Sequence, residues 1–244
     1  MTTLVVGANG ATGCLLVRQL LTKGEPVKAI VRSMDSLPDI LRQHYKLVVT
    51  ESSVLDMTDA ELLEQVKGCR AVVSCLGHNL TLKGMFAQPR RLVTDAVQRL
   101  CHAIEQTSPK VPVKFILMNT TGNQNKQAGE KISIAQSVTV SLIRKLLPPH
   151  YDNELAAKYL QSSFGQEQKI IEWVAVRPDS LTDQKPVSEY DVYASPTRSA
   201  IFNAGKTSRI NVAHFMSELA TNDGVWQKWK HQMPVIYNAS TDKP

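Results

Sequence analysis

Short runs of apolar and β-branched residues alternate with longer segments in which apolar residues recur every three or four positions. The first pair is Thr3–Val6, which has a strand pattern, and Ala11–Lys23, in which Leu16 and Leu20 can share one helix face. The alternation continues as far as Val113–Met118. Because parallel strands need crossover connections, which helices commonly provide, the pattern predicts an α/β fold with helices on both faces of a parallel sheet.

The same reasoning divides the whole chain into elements. The predicted strands are Thr3–Val6, Pro26–Arg32, Lys46–Thr50, Ala71–Leu76, Val113–Met118, Lys169–Val176 and Pro234–Tyr237. The predicted helices are Ala11–Lys23, Leu37–Gln43, Asp59–Val66, Phe86–Glu105, Ile132–Leu147, Asp152–Phe164 and Ile210–Ala220. Gly122–Lys131 predicts a loop, and Asp179–Ser208 predicts a long, mostly irregular segment. We expect residues 1–244 to form one domain, with 119–150 and 179–208 as insertions that build a small substrate-side region.

A glycine-rich loop joins the first predicted strand to the first helix. Its residues 7–13, Gly-Ala-Asn-Gly-Ala-Thr-Gly, have the spacing G-x-x-G-x-x-G. In such loops the first glycine permits a tight turn, the second lets the backbone approach a pyrophosphate, and the third lets the helix pack close to the sheet. The helix N-terminus also favours negative charge. This context predicts a Rossmann-like, doubly wound sheet that binds a dinucleotide. The predicted cofactor contacts here are Gly7, Asn9, Gly10, Ala11, Thr12 and Gly13.

The end of the second strand indicates which dinucleotide is preferred. Proteins that prefer NAD usually place Asp or Glu there to hold the ribose 2′-hydroxyl, whereas Arg accommodates a 2′-phosphate. The chain has Arg32 followed by Ser33, which favours NADP(H), although Asp35 nearby keeps NAD(H) possible. After the third strand, Asp56 is a candidate to meet the adenine.

Composition narrows the classes of partner. The chain has 244 residues, of which 43% are hydrophobic, and a net charge of +6. The charge suits an anionic ligand, but the basic residues form no long run, so we expect no nucleic-acid partner. No apolar run reaches the roughly 17–25 residues of a membrane helix, and a secretory signal pattern is missing, so we expect a cytoplasmic protein without a membrane partner. The 4 cysteines and 6 histidines lack metal-ligand spacing, and no metal is expected.

Several segments together resemble the atypical short-chain dehydrogenase/reductase superfamily. Besides the glycine loop, they are Ile-Val-Arg-Ser at 30–33, Val-Leu-Asp at 54–56, Ser-Cys-Leu-Gly at 74–77 and Val-Arg-Pro at 176–178. Within that superfamily the chain is similar to the compact NAD(P)H-binding group that includes biliverdin-IXβ/flavin reductases and NmrA-like proteins. The resemblance covers nearly the full chain and is specific for the cofactor half. It implies further cofactor contacts at Leu76, Gly77, Asn119, Asn153 and Pro178.

The catalytic half departs from the superfamily pattern. Short-chain dehydrogenases typically use Tyr-x-x-x-Lys, and none of the 6 tyrosines has lysine four residues later. Relatives often present a hydroxyl at the end of the fifth strand, which makes Thr121 or Thr120 a candidate to bond a substrate oxygen. His150 is a candidate proton donor with Tyr151 beside it, and the alternative is a surface histidine beside a helix cap. Candidates to line an aromatic substrate pocket, or to anchor their segment to the core, are Tyr190, Tyr193 and Phe202.

The sequence suggests three hypotheses for the function. The leading hypothesis is an NADPH-dependent reductase of a small acceptor such as a flavin, a quinone or a carbonyl compound. The first alternative is a non-catalytic NADP(H) sensor that binds a protein partner, as the NmrA-like resemblance implies and the missing Tyr-x-x-x-Lys pair favours. The second is a nucleotide-sugar epimerase, which shares the fold but usually needs that pair. The sequence leaves the oligomeric state open.

Overall fold

The computed structural model describes residues 2–78, 88–125, 127–130, 139 and 148–239. The strands in these ranges are β1 Thr2–Val6, β2 Val27–Val31, β3 Leu47–Glu51, β4 Cys69–Ser74, β5 Val113–Met118, β6 Ile171–Pro178, β7 Ser180–Thr182, β8 Tyr190–Tyr193, β9 Lys206–Ser208 and β10 Val235–Asn238. The helices are α1 Ala11–Thr22, α2 Asp39–Arg42, α3 Asp59–Val66, α4 Leu92–Gln106, α5 Pro148–Ser163, α6 Arg209–Thr221 and α7 Asp223–Trp229. A single 3₁₀ turn at Met34–Ser36 precedes α2.

Eight of these strands form one sheet in the order β3-β2-β1-β4-β5-β6-β10-β8. All neighbours are parallel except β8, which runs antiparallel to β10. The chain winds outward from β1 to β3 on one side and from β4 to β6 on the other, so the direction of winding reverses between β1 and β4. In open α/β sheets such a reversal leaves a crevice at the carboxyl ends of the strands, where ligands bind.

Helices cover both faces of the sheet. On one face α3, α4 and α5 bury an apolar cluster that includes Leu62, Leu100 and Leu160. On the other face α1, α6 and α7 bury a second cluster that includes Leu16 and Met216. Burial of both faces explains why the central strands are almost continuously apolar. The predicted doubly wound α/β fold is therefore confirmed.

One predicted helix starts later than expected. The pattern predicted a helix from Phe86, but α4 begins at Leu92 and residues 88–91 are not helical. Its start is decided by a tertiary contact, because the carboxylate of Asp152 accepts hydrogen bonds from the backbone N–H groups of Val93 and Thr94. An N-terminal cap that comes from another helix has no signal in the local sequence.

The predicted irregular segment 179–208 contains three short strands. In it β7 pairs with β9, and β8 adds to the edge of the main sheet beside β10. These pairs join residues far apart in sequence, so local periodicity does not reveal them. Helix α7 was also not predicted, although Asn222 is a typical N-cap and accepts from the N–H groups of Gly224 and Val225. The predicted helix 132–147 lies outside the described residues, apart from Thr139, which is helical.

No helix among the described residues is long and apolar enough to cross a membrane. Nor does any group of three His, Cys, Asp or Glu side chains in those ranges lie close enough together to hold a metal ion.

Candidate functional site

A cleft of 180 Å³ opens at the carboxyl edge of the sheet where β1, β2 and β4 end. Six of the residues predicted to contact a cofactor line it, namely Gly7, Asn9, Gly10, Arg32, Leu76 and Gly77. Sequence reasoning missed Ser52 and Ser53, which also line the cleft from the end of β3. Their position directly after a parallel strand was the available signal. The fold thus brings four separate sequence segments together at the reversal point of the sheet.

Backbone geometry explains the three glycines of the loop. Gly7 has a φ of +74°, and a Cβ there would lie 2.7 Å from the carbonyl carbon of Cys75, directly after β4. A Cβ on Gly13 would lie only 2.1 Å from the Gly7 oxygen, so α1 packs directly on the loop. Gly10 is less crowded, since a Cβ there would lie 3.3 Å from the same oxygen. Gly7 and Gly13 are therefore required by packing, whereas Gly10 leaves the backbone open toward the cleft.

The N-terminus of α1 adds hydrogen-bond donors beside this cleft. Its N-cap is Gly10, and no side chain caps it. The N–H groups of the first turn, including those of Ala11 and Thr12, have no partner within the helix. Neither residue lines the cleft with its side chain, and Thr12 is buried. An uncapped helix end next to a glycine-lined cleft fits the diphosphate of a dinucleotide, because the helix dipole and the free N–H groups both favour negative charge.

Charges around the end of β2 also bear on the choice of dinucleotide. Arg32 is the charged side chain that lines the cleft, and no acidic residue is among the described lining residues. The carboxylate of Asp35 is 3.4 Å from the guanidinium of Arg42, and Asp35 is not among the lining residues of the cleft. Ser33 does not line the cleft, and its carbonyl accepts a hydrogen bond from the Ser36 hydroxyl in the 3₁₀ turn. Asp56 is exposed and also lies outside the lining.

The end of β4 supplies a neutral wall to the cleft. Burial raises the pKa of the Cys75 thiol to about 12, so the thiol is protonated near neutral pH and is a poor nucleophile. Leu76 and Gly77 continue the lining, and Gly77 is exposed with open space around its Cα. Residues 75–77 would therefore contact a ligand through their backbone groups and uncharged side chains.

The ends of β5 and β6 are closed by internal hydrogen bonds. The Asn119 amide donates to the Asn153 carbonyl at 2.9 Å and accepts from the Thr120 backbone at 2.8 Å. The hydroxyl oxygen of Thr120 accepts from the backbone N–H of Gly122. Pro178 is buried in the sheet beside β10. None of the predicted contacts Asn119, Asn153 and Pro178 lines the 180 Å³ cleft, and the two asparagines instead join β5 to α5.

Thr121 is held by an acidic neighbour that the sequence analysis did not single out. Its hydroxyl forms a hydrogen bond with the carboxylate of Asp179, the first residue after β6. Burial raises the pKa of Asp179, and hydrogen bonds from Gly205, Thr121 and Ser180 only partly oppose that effect. Thr121 is itself buried. The pair therefore places a carboxyl group with a raised pKa at the carboxyl edge of the sheet.

His150 and Tyr151 point to different surroundings. His150 packs on Gly122, where a Cβ would lie 2.9 Å from the imidazole Cε1, and its Nε2 is 3.4 Å from a Glu154 oxygen. It is therefore not the exposed surface histidine considered as an alternative. Tyr151 is 47% exposed and lines a separate cavity of 510 Å³ with Glu154 and Lys158. The structure thus does not bring the four predicted catalytic candidates into one cluster.

A buried His–Asp pair joins three elements around the cleft. The Nε2 of His78, just after the cleft residue Gly77, lies 2.8 Å from the Asp152 carboxylate on α5. The same carboxylate caps α4, whose first residue Leu92 lines the cleft. Burial alone would raise the pKa of Asp152, but the hydrogen bonds from His78 and Thr94 outweigh it and hold the pKa below its usual value. An ionised Asp152 therefore ties the wall of the cleft to two helices.

A second buried ion pair lies near the carboxyl end of β6. Arg177 on β6 is fully buried, and its guanidinium donates to both carboxylate oxygens of Glu130 at 2.9 and 2.6 Å. It also donates to the carbonyls of Asn123, Met233 and Ala194. The arginine of the Val-Arg-Pro segment thus has a structural role, because it connects Asn123 and Glu130 to Ala194, the residue after β8.

The fold and this cleft define the class of protein as an NAD(P)H-binding protein with a Rossmann-like sheet. The sequence model of the NAD(P)H-binding family matches residues 7–223. The chain belongs to this NAD(P)H-binding family, and the family resemblance seen in the sequence is confirmed. A search of curated proteins found no match.

Solved structures share the fold over nearly the whole chain. A short-chain dehydrogenase/reductase from Veillonella parvula in complex with NADP has a TM-score of 0.71 at 14% identity, covering 100% of this chain and 98% of that one. The anaerobillin reductase ChuY from Escherichia coli O157:H7 has a TM-score of 0.69 at 16% identity, covering 100% of both chains. The oxidoreductase ylbE from Lactococcus lactis has a TM-score of 0.69 at 19% identity, covering 99% of this chain and 92% of that one.

Proposed function

We propose that the chain is an NADPH-dependent reductase that passes hydride to a small acceptor such as a flavin, a quinone or a carbonyl compound. The observation that carries this proposal is the lining of the 180 Å³ cleft by Arg32, Ser52 and Ser53, with no acidic residue among its described lining. A guanidinium and two hydroxyls suit a 2′-phosphate, whereas a carboxylate that would select NAD(H) is missing from the lining.

The chain's own residues would bind and orient, while NADPH supplies the hydride. The glycine loop and the uncapped start of α1 would hold the diphosphate, and Arg32 the 2′-phosphate. Bound in that direction, the cofactor would extend along the carboxyl edge toward Thr121 and Asp179. There the Asp179 carboxyl would position the Thr121 hydroxyl beside an acceptor oxygen, and the proton that reduction consumes would come from solvent. Two of the solved structures named above support this assignment, one by its bound NADP and one by its name as a reductase.

The decisive test is anaerobic stopped-flow absorbance at 340 nm, with protein and excess NADPH mixed against a panel of flavins, quinones and aldehydes. We expect NADPH oxidation with at least one acceptor, at a rate that depends on enzyme concentration. Oxidation no faster than in protein-free controls across the whole panel would contradict the reductase proposal.

A second candidate function is an NADP(H) sensor that changes its affinity for a protein partner. It is favoured by the absence of Tyr-x-x-x-Lys from the sequence and by the engagement of the Thr121 hydroxyl with Asp179. The same experiment separates the two functions, because a sensor would bind NADPH tightly and leave it unoxidised with every acceptor.

The cofactor preference has its own test in Arg32→Ala. Loss of charge-assisted hydrogen bonds to a 2′-phosphate costs about 1.5–3 kcal/mol, so NADPH affinity should fall roughly 10- to 100-fold while NADH affinity changes little. Isothermal titration of both nucleotides measures this. Arg42→Ala is the matched control, because Arg42 pairs with Asp35 and Asp39 outside the cleft. Equal weakening of NADPH and NADH by Arg32→Ala would remove the 2′-phosphate assignment.

A further inference from the structure

Arg99 on α4 contacts the loop that follows β3. Its guanidinium donates hydrogen bonds to the carbonyl oxygens of Val54, Leu55 and Met57 at distances of 2.5 to 2.9 Å. It also forms an ion pair at 2.9 Å with Asp59, the first residue of α3. The Arg99 side chain is only 26% exposed, so these contacts are partly shielded from water. One side chain thus joins α4, the loop and α3.

The same loop forms part of the 180 Å³ cleft, which we call the cofactor cleft. Ser52 and Ser53 line this cleft. The carbonyl of Ser53 accepts hydrogen bonds from the backbone N–H groups of Asp56 and Met57 at 3.0 and 3.2 Å. These bonds close residues 53–57 into a turn. A wall of the cofactor cleft is therefore a single turn of backbone between β3 and α3.

The hydrogen bonds of Arg99 restrict the orientation of this turn. The carbonyls of Val54, Leu55 and Met57 are directed at α4, where the guanidinium holds them. Val54 and Met57 are also buried in the apolar cluster beneath α4. A planar guanidinium has five donors in a fixed fork, so it can hold several carbonyls in one arrangement. The peptide groups of the turn are therefore fixed while Arg99 is in place.

Helix α4 connects the turn to another part of the cofactor cleft. Its first residue, Leu92, lines the cleft, and Arg99 follows seven residues later, about two helical turns along the same face. The start of α4 is itself held by Asp152, which accepts from the N–H groups of Val93 and Thr94. The turn is thus attached to a helix whose own position is fixed by buried hydrogen bonds.

The turn places a hydroxyl donor in the same cleft as Arg32. The hydroxyl oxygen of Ser53 accepts from the N–H of Leu55 at 3.3 Å, and its proton can be donated to a ligand. Arg32 lines the cleft from the end of β2, which neighbours β3 in the sheet. A phosphate bound between Ser53 and Arg32 would accept charge-assisted hydrogen bonds from both.

We propose that Arg99 is a positioning residue for the 2′-phosphate of NADP(H), because its guanidinium holds the 53–57 turn so that the hydroxyls of Ser52 and Ser53 lie beside Arg32. Arg99 is not among the described lining residues of the cofactor cleft, so it acts through the turn and not by contact with the ligand. This role rests on the proposed binding of NADP(H) in the cleft and does not depend on hydride transfer.

Binding of two redox-inactive nucleotides tests this role. Adenosine 2′,5′-bisphosphate carries the 2′-phosphate, adenosine 5′-monophosphate lacks it, and isothermal titration gives both affinities. Arg99→Met removes the guanidinium and keeps an apolar stem. We expect it to weaken the bisphosphate roughly tenfold and the monophosphate no more than about twofold, because the serine hydroxyls bond only the 2′-phosphate. Arg70→Met is the matched control and should change neither affinity, because Arg70 is also 26% exposed but pairs with Asp223 outside the cleft.

Arg99→Lys separates the fork from the charge. A lysine ammonium keeps the positive charge as a compact point charge, so it cannot hold the carbonyls as the planar fork does. We expect bisphosphate affinity to fall at least roughly threefold in this variant, which also tests the role if Arg99→Met does not fold. Full affinity in Arg99→Lys would overturn the proposal. So would a lower free energy of urea unfolding in Arg99→Met with an unchanged ratio of the two nucleotide affinities, because that result would make Arg99 purely structural.

Failure of this role and failure of the reductase function give different results. Selective loss of bisphosphate affinity in Arg99→Met, together with no NADPH oxidation by the unsubstituted protein, would contradict the reductase function and leave the positioning role standing. Equal bisphosphate affinity in Arg99→Met and the unsubstituted protein would overturn the positioning role, and NADPH oxidation would then leave the function standing. In an active enzyme, Arg99→Met should raise the KM for NADPH roughly tenfold and leave kcat unchanged, because the 2′-phosphate is remote from the transferred hydride.

Discussion

Gly10 and Gly13 share one loop motif but have different surroundings. A Cβ on Gly13 would lie 2.1 Å from the Gly7 oxygen, whereas one on Gly10 would lie 3.3 Å from it. Gly13→Ala should therefore destabilise the protein by about 2 kcal/mol, because overpacking of up to about 3 kcal/mol outweighs a gain of about 1 kcal/mol in helix propensity. Gly10→Ala should change stability little and weaken NADPH binding. Urea unfolding without nucleotide, followed by NADPH titration, measures both effects.

Equal stability of Gly13→Ala and the unsubstituted protein would contradict the close packing of α1 on the loop. Unchanged NADPH affinity in folded Gly10→Ala would remove Gly10 from the proposed binding site. Gly10 and Gly13 thus have different roles within one sequence motif. The spacing predicted three glycines with distinct roles, and the roles of Gly7 and Gly13 are visible in the backbone geometry.

Side chains at strand ends were harder to assign from sequence. Asn119 follows β5, as a cofactor contact would, but both ends of its amide are engaged in hydrogen bonds within the protein. Thr121 likewise donates to Asp179, a residue distant in sequence. A polar residue at a strand end can face a ligand or a neighbouring loop, and only the partner's position in space distinguishes these cases.

At the scale of elements, Asp152 connects α5, the start of α4 and the loop after β4. It is 1% exposed, and it accepts from the backbone of Val93 and Thr94 and from His78. Asp152→Asn should cost about 3 kcal/mol of unfolding free energy at pH 7, because it leaves several buried donors poorly paired. NADPH affinity should also fall, since Leu92 lines the cofactor cleft. Urea unfolding and NADPH titration test this, with Asp95→Asn as the control on the exposed side of α4.

The pH dependence of that loss has a defined sign. The folded-state pKa of Asp152 is below its ordinary value, so its stabilisation is fully present above the unfolded-state pKa of about 3.9 and is lost as the pH falls through the folded-state pKa. The stability difference between Asp152→Asn and the unsubstituted protein should therefore be constant above about pH 5 and shrink below about pH 4. A difference that stays constant down to pH 3 would contradict an ionised Asp152.

Elements with their own periodicity were predicted well, and elements that depend on distant partners were not. The helix Asp59–Val66 was predicted with the bounds it has, because its capping box at Thr58 and Glu61 is local. The predicted start of α4 was wrong because α4 is capped by the Asp152 carboxylate, which belongs to another helix. The strand β8 was missed because it is defined by pairing with β10, about forty residues later.

For the whole molecule, cofactor binding should appear as thermal stabilisation. A ligand at 100 times its Kd stabilises the folded state by about 2.7 kcal/mol, which for a chain of this size raises the Tm by roughly 5–10 °C. NADPH should give this shift in a differential scanning experiment, and NADH at the same concentration should give a smaller one. The difference between the nucleotides should disappear in Arg32→Ala. Equal shifts by both nucleotides in the unsubstituted protein would contradict a preference for NADP(H).

The sequence by itself determined the fold class, the family and the place of the glycine loop, because strand and helix periodicity and the G-x-x-G-x-x-G spacing are local properties of the chain. Tertiary structure alone decided which polar side chains face the cleft, since this depends on contacts between segments far apart in sequence. Ser52 and Ser53 join Arg32 only because β2 and β3 are neighbours in the sheet. The hydrogen bond between Thr121 and Asp179 likewise exists only in the folded sheet.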